Sequence, residues 1–380
     1  MATRPLHAPE AQSVTFVELF FDLVFVFAVT QVTVLIAADL TLEGVAHSLL
    51  LFWLIWWAWT QFTWTLNPAD TNHTAVRTVT LVATALAFVM AASVTRAFGD
   101  EAAWFAVPYV LVRVLGLGLQ VRIDLERTDM QHRAIYLWTA LSSIGLVLVL
   151  AGAFVDTPGR YWIWLGAMLA DFVAAGAAGV RHEWDLDPAH FSERHGLFVI
   201  IALGESLIVA ATAVSADERT GALVAVTAAA LVVACLLWWT YFAWLKDDAE
   251  AGLAATPTGG LGPVARDAYS LGHFPLVCGI IGFAIAIEEI VHHPDAIPPG
   301  EVTAALGAGV TLYVAASAFA LWRTTGVVLA PRLGILALTM AALAIVSSDE
   351  AVWQLGVVAL GLFLIVLVEG RNATRRPALR

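Results

Sequence analysis

Residues 14–38, VTFVELFFDLVFVFAVTQVTVLIAA, decide the fold class. At about 1.5 Å per residue, a helix of this length crosses a bilayer core of about 30 Å. It nevertheless carries two carboxylates, Glu18 and Asp22, four positions apart and therefore on one helical face. A charge at the centre of a bilayer costs about 2.5–3.5 kcal/mol even on the lenient insertion scale. Neither group is expected to face lipid. Both must meet other helices, a cavity or the cytoplasmic boundary, and the rest of the chain reads as the structure that supplies those surroundings.

Of the 380 residues, 60% are hydrophobic and 13% charged, with a mean hydropathy of +0.82. Soluble domains average about 45–50% apolar and about 25% charged, so this composition is that of an integral membrane protein. The longest polar stretch, residues 247–263, reads as a linker and leaves no separate soluble domain. A net charge of -12 without a basic face argues against nucleic acid as a partner. Cys235 and Cys278 both lie in apolar segments and read as small buried hydrophobes rather than as a disulfide or metal site. The short polar start MATRPLHAPEAQ is followed by no small-residue cleavage site, so the first span is expected to direct insertion itself.

Apolar runs of about 17–25 residues predict twelve spans, at 14–38, 45–66, 76–98, 102–122, 133–155, 159–180, 192–215, 220–245, 266–291, 301–322, 333–348 and 350–369. The expected fold is all-α and polytopic. A cytoplasmic tail (1–13) precedes a six-helix half (14–180), a cytoplasmic linker (181–191), a second six-helix half (192–369) and a basic cytoplasmic tail (370–380). With the N-terminus inside, the inner segments hold Arg4, Arg77, Arg122, Arg127, Arg133, Arg181, Arg194, Lys246, Arg266, Arg323 and Arg332, joined by Arg371, Arg375, Arg376 and Arg380 of the tail. The outer side keeps Arg96, Arg160 and Arg219. This bias predicts both termini in the cytoplasm, in a bacterial inner membrane.

The halves echo each other. Phe16-x-Glu18 opens span one as Phe191-x-Glu193 opens span seven, and Trp56-Trp57 in span two match Trp238-Trp239 in span eight. Glu101 and Glu301 begin spans four and ten, and Arg133 and Arg332 precede spans five and eleven. An even number of spans per copy predicts a parallel 6+6 duplication, a plan found among transporters. Pro108 and Gly307/Gly309 occupy matching places, and Gly272-His273-Phe274-Pro275 is expected to interrupt span nine.

Ionisable groups well inside spans are Asp22, Arg113, Asp171, Glu205 and His273. An intramembrane charge needs a named partner, and Arg113 is expected to be neutralised by Glu205 or Asp22, leaving other carboxylates to carry protons. Against this stands a purely structural ion pair that fixes helix register. His190, Glu193, Arg194 and His195 crowd the cytoplasmic edge of span seven, with Glu205 and Ser206 in mid-span. The histidine spacing does not match the i, i+4 pair of a zinc helix. A gate pairing with Glu18 or Asp185 is the better reading, and neither metal nor cofactor is expected. The tryptophans at 53, 56, 57, 59 and 64, like those at 238, 239 and 244, read as interface anchors rather than as a substrate wall. Phosphate loops, nucleophile elbows and paired-cysteine motifs are absent from the sequence.

The stretches FVELFFDLVFVFAVTQV (16–32) and FSERHGLFVIIALGES (191–206) resemble the two signatures of the bacterial low temperature requirement A (LtrA) family. The tryptophan-rich second span and the total length fit as well. The resemblance places the signature on Glu18, Asp22, Glu193, Arg194, His195, Gly196, Gly204, Glu205 and Ser206. It implies a polytopic bacterial membrane protein named for growth in the cold, and it supplies no substrate.

Two functions follow as expectations. One is a secondary transporter or permease for a small solute or ion, with Glu18, Asp22, Arg113, Asp171, Glu205, Ser206 and His273 along the substrate or proton path. The other is a sensor or structural protein responding to the lipid bilayer, with every buried charge paired. A lipid-acting enzyme is a third option, requiring a lateral opening near His190 and His195.

Overall fold

The computed structural model describes residues 5–8, 12–126, 133–179, 184–216 and 220–373, with backbone alone at a few positions that include Arg133 and Glu205. Arg4, Arg127, Arg181, Arg219, Arg375, Arg376 and Arg380, used above for orientation, lie outside the described residues. Helices account for nearly all of the rest: α1 (Phe16–Ala38), α2 (Leu42–Leu66), α3 (Thr74–Ala92), α4 (Ala102–Leu125), α5 (Arg133–Gly152), α6 (Gly159–Gly179), α7 (Pro188–Ala216), α8 (Gly221–Phe242), α9 (Leu245–Ala254), α10 (Thr258–Ala265), α11 (His273–His292), α12 (Gly300–Thr325), α13 (Ala330–Ile345) and α14 (Ala351–Ala373). No strand occurs among the described residues, where the only extended pairing is a bridge between His7 and Ala69.

Local chemistry sets several helix ends. Thr15 and Glu18 form a capping box at the start of α1, and the Thr41 side chain accepts from Gly44 N at 3.1 Å at the start of α2. α12 stops at Gly326, whose φ of +75° suits a residue without a Cβ. Between α10 and α11 the helix widens into a π turn at Arg266–Leu271, with Gly272 N donating to Asp267 O at 2.9 Å. Gly272 is required there, because a Cβ would lie 2.4 Å from Ala268 O. The interruption expected at Gly272–Pro275 is thus a bulge in one continuous helical run from Thr258 to His292 rather than a break. Nine helical runs among the described residues are long and apolar enough to cross a membrane.

The chain divides into two compact units. The first comprises Met1–Phe198 with Thr256–Arg266, and the second Val199–Ala255 with Asp267–Arg380. In the first, α2 is the central rod, packed against α1, α4 and α6. Every side chain from residue 50 to residue 63 is buried, as expected for a helix apolar all round. α1 turns Phe16, Phe20, Leu23 and Phe27 outward, while Glu18, Phe21, Asp22 and Phe25 are fully buried. The acidic face therefore avoids lipid.

In the second unit, α11 and α12 pack backbone to backbone, since a Cβ on Gly279 would stand 2.6 Å from Gly309 O. α8 packs against α14, and α13 against both α12 and α14.

Candidate functional site

The candidate site is a fully buried charge cluster in the first unit, joining the start of α1, the middle of α2 and the start of α7. Glu18 Oε2 accepts from the Thr15 amide at 2.9 Å and the Thr15 hydroxyl at 2.8 Å, so the cap fixes one carboxylate oxygen. The other oxygen faces His190 Nε2 at 3.0 Å and Arg194 Nη1 at 3.6 Å. One turn further along α1, Asp22 Oδ1 accepts from Arg194 Nη2 and from Trp59 Nε1, the latter at 2.7 Å. The guanidinium also lies 5.9 Å from the Trp59 ring centroid, a cation–π contact. Glu18, Asp22 and Arg194 have no exposed surface, and His190 is 1% exposed.

Surrounding groups hold this geometry. Asn67 at the end of α2 donates to Asp187 O at 3.1 Å and accepts from Asp187 N at 2.7 Å, which fixes the entry to α7. Glu193 reaches back to Val14 N at 3.2 Å. His195 Nδ1 lies 2.9 Å from Phe191 O, and its ring meets Trp59 edge-on at 5.0 Å. Of the residues assigned to a gate, His190 and Arg194 meet Glu18. Asp185 is engaged instead by His7, at 2.6 Å.

The other predicted positions fall in separate places. Arg113 pairs with Asp171, Nη2 to Oδ1 at 3.1 Å and Nη1 to Oδ2 at 3.4 Å, and donates to Tyr109 Oη at 2.9 Å. This corrects the expectation that Asp22 or Glu205 neutralises it: Asp22 is held by Arg194, and the Glu205 side chain lies outside the described residues. Gln61 of α2 donates to Arg113 O at 3.0 Å. His273, in the second unit, sits between Ala268 O at 3.0 Å and Tyr241 Oη at 2.7 Å. Ser206 is buried there too. Asp22 and Arg113 therefore belong to two different ion-paired clusters.

Sequence reasoning missed a third cluster. Arg332, read above as a marker of topology and of the repeat, pairs with Glu369 at 3.3 Å and donates to Thr240 O at 2.7 Å. It also misjudged the α2 tryptophans. Trp53, Trp56, Trp57 and Trp59 are at most 3% exposed and form the core of the first unit, not an interfacial belt. Trp238 and Trp239 are 40% and 54% exposed, as anchors would be. Among the described residues, no group of three or more metal-ligating side chains is assembled.

The family profile described as "Bacterial low temperature requirement A protein (LtrA)" matches residues 13–367. A Rhizobium meliloti protein described only as uncharacterized is 30% identical over 292 residues, covering 74% of this chain and 70% of its own length. No solved structure matches.

Proposed function

Because the chain belongs to the bacterial LtrA family, we propose that it is a proton-coupled secondary transporter for a small solute, with Glu18, Asp22, His190 and Arg194 as its proton-carrying group. The carrying observation is a charge count. Among the described residues Arg113 faces one carboxylate, Asp171, and Arg332 faces one, Glu369, whereas Arg194 faces two. The α1 N-terminus offers Glu18 a partial charge of about +0.5, which leaves about half a negative charge uncompensated in a site without water contact. An unbalanced buried charge costs several kcal/mol, and one proton, on His190 or between the carboxyls, brings the formal charge of the side chains to zero. Losing that proton requires a compensating cation or a rearrangement of α1 against α7, which is the coupling a transporter needs.

The membrane plan fits this role. We place twelve spans in two parallel sets of six, with both termini cytoplasmic and the protein in the inner membrane. In support, five packings of the first unit recur in the second. The pairs α3·α4, α2·α4, α4·α5, α5·α6 and α2·α6 correspond to α11·α12, α8·α12, α12·α13, α13·α14 and α8·α14. The recurrence is independent of the Trp-Trp pairs, whose surroundings differ between units.

The balanced pairs favour a second reading, a bilayer sensor or structural protein held together by buried charges. Burial of His190 and His195 removes them from lipid and weighs against lipid chemistry at that position. Proteoliposomes loaded with a pH dye and challenged with a panel of small solutes separate transporter from sensor. Transport predicts solute-dependent proton movement that Glu18→Gln abolishes. Silence across the panel, or movement indifferent to Glu18→Gln, overturns the proposal in favour of the sensor.

A further inference from the structure

Where α3 packs against α4, the first unit carries an open groove of about 440 Å³, within the range of about 300–1,000 Å³ typical of small-molecule sites. Both helices are long and apolar enough to cross a membrane. Val114 in the groove wall is 50% exposed, and Leu111, one turn beyond Leu115 on the same helix, is 43% exposed. In a membrane span, such an uncovered apolar face meets lipid. The groove is polar at one end and apolar along the rest. His73 caps the start of α3 and Arg122 stands in the last turn of α4, while Val79, Leu119, Leu115 and Val114 follow down the two helices. From Arg122 to Val114 the α4 wall extends about 12 Å. Gly118 leaves a gap in that wall, since a Cβ there would meet no atom within 4 Å.

The polar end presents donors. His73 Nδ1 accepts from the Ala75 amide at 3.1 Å, so the neutral ring carries its proton on Nε2 and can donate from there. Arg122 is exposed and, among the described residues, makes neither a hydrogen bond nor an ion pair. Glu126, one turn further on, also lines the groove, but its Oε2 is turned to the Leu6 amide at 2.7 Å.

We infer that this groove holds a phospholipid of the surrounding bilayer, its phosphate on Arg122 and His73 and one acyl chain along Val79, Leu119, Leu115 and Val114. A guanidinium fork and a ring N–H both suit phosphate oxygens. The depth agrees with the chemistry: the ends of a span lie at headgroup level, and a wall reaching about 12 Å inward from there runs beside hydrocarbon. Free phosphate gains nothing from the apolar wall, and an uncharged lipid gains nothing from the guanidinium. Only a molecule carrying both parts uses the whole groove. The site shares no residue with the Glu18–Arg194 cluster, and the inference stands whether or not protons move through that cluster.

Three probes that separate head from tail test it: phosphatidylethanolamine, diacylglycerol with the same chains, and glycerophosphoethanolamine, the headgroup alone. Each is titrated into purified full-length protein in maltoside micelles, and native mass spectrometry counts the molecules bound. Phosphatidylethanolamine is expected to fill one site per chain saturably, with the other two probes about tenfold weaker or more. Arg122→Gln is expected to weaken phosphatidylethanolamine about tenfold and to leave diacylglycerol unchanged. Gly118→Phe, which fills the gap in the wall, is expected to weaken phosphatidylethanolamine by a similar factor. Arg122→Gln, an exposed change, covers the case in which Gly118→Phe fails to fold. Phosphatidylethanolamine bound no more tightly than diacylglycerol overturns the inference, as does binding unchanged in a folded variant. A lipid-free dimer that Gly118→Phe separates would give the groove to a second copy of the chain and overturns it too.

Discussion

Asp22 and Arg194, 172 positions apart in the sequence, close an ion pair with no solvent exposure on either side, and Trp59 donates to the carboxylate oxygen that the guanidinium holds. The pair pins the start of α7 to α1, beside the contact of Glu18 with His190. Its loss should be costly, and unequally so. Removing one member of a buried pair costs about 3–5 kcal/mol. Arg194→Gln leaves two carboxylates with no guanidinium, whereas Asp22→Asn leaves Glu18 and Arg194 balanced. Thermal unfolding in nanodiscs should therefore show Arg194→Gln as much the less stable, with Asp22→Asn closer to wild type. Equal losses would contradict the charge count.

The Arg113–Asp171 pair makes a different prediction, because its charges already match. Arg113→Met and Asp171→Leu should each cost about 3–5 kcal/mol, while the double variant should recover most of that loss. A double-mutant cycle by thermal unfolding checks it, and additive losses would show that the pair is not an isolated unit.

Glycines in α12 separate by what they face. Gly309 abuts the α11 backbone, where a Cβ would lie 2.7 Å from Phe283 N. Gly307 meets only the ends of Leu343 and Met340, the nearer at 3.3 Å. Gly309→Ala should cost about 1–3 kcal/mol by forcing the helices apart, and Gly307→Ala well under half of that. The comparison needs only relative melting temperatures.

Orientation is open to a reporter fusion. Green fluorescent protein at the C-terminus should fluoresce in cells, and alkaline phosphatase at the same place should be inactive. Active phosphatase would reverse the assignment made from the arginines.

Helices were legible in the sequence because length and hydropathy fix them locally. The fate of Glu18 and Asp22 was legible for a related reason: two carboxylates on one face of a membrane segment have nowhere to go but inward. The partner of Arg113 was not legible. Sequence states that such a charge needs a counter-charge, but Asp171 is chosen by how α4 and α6 are rotated against each other, and no local pattern encodes that. The α2 tryptophans misled because an aromatic run near a span end looks alike whether it faces the interface or the core. Only the burial of every side chain over residues 50–63, nearly four turns, distinguishes them. The grouping of tryptophans 57, 64, 138 and 184 had no linear signature at all, since they are scattered along the chain.

A single turn of α2 serves both ion-paired clusters of the first unit. Trp59 donates to Asp22, while Gln61 donates to Arg113 O. Positions two apart on a helix differ by about 200° in direction, so the rod addresses opposite sides at once. One helix thus steadies two guanidinium–carboxylate pairs like a tie beam between two posts.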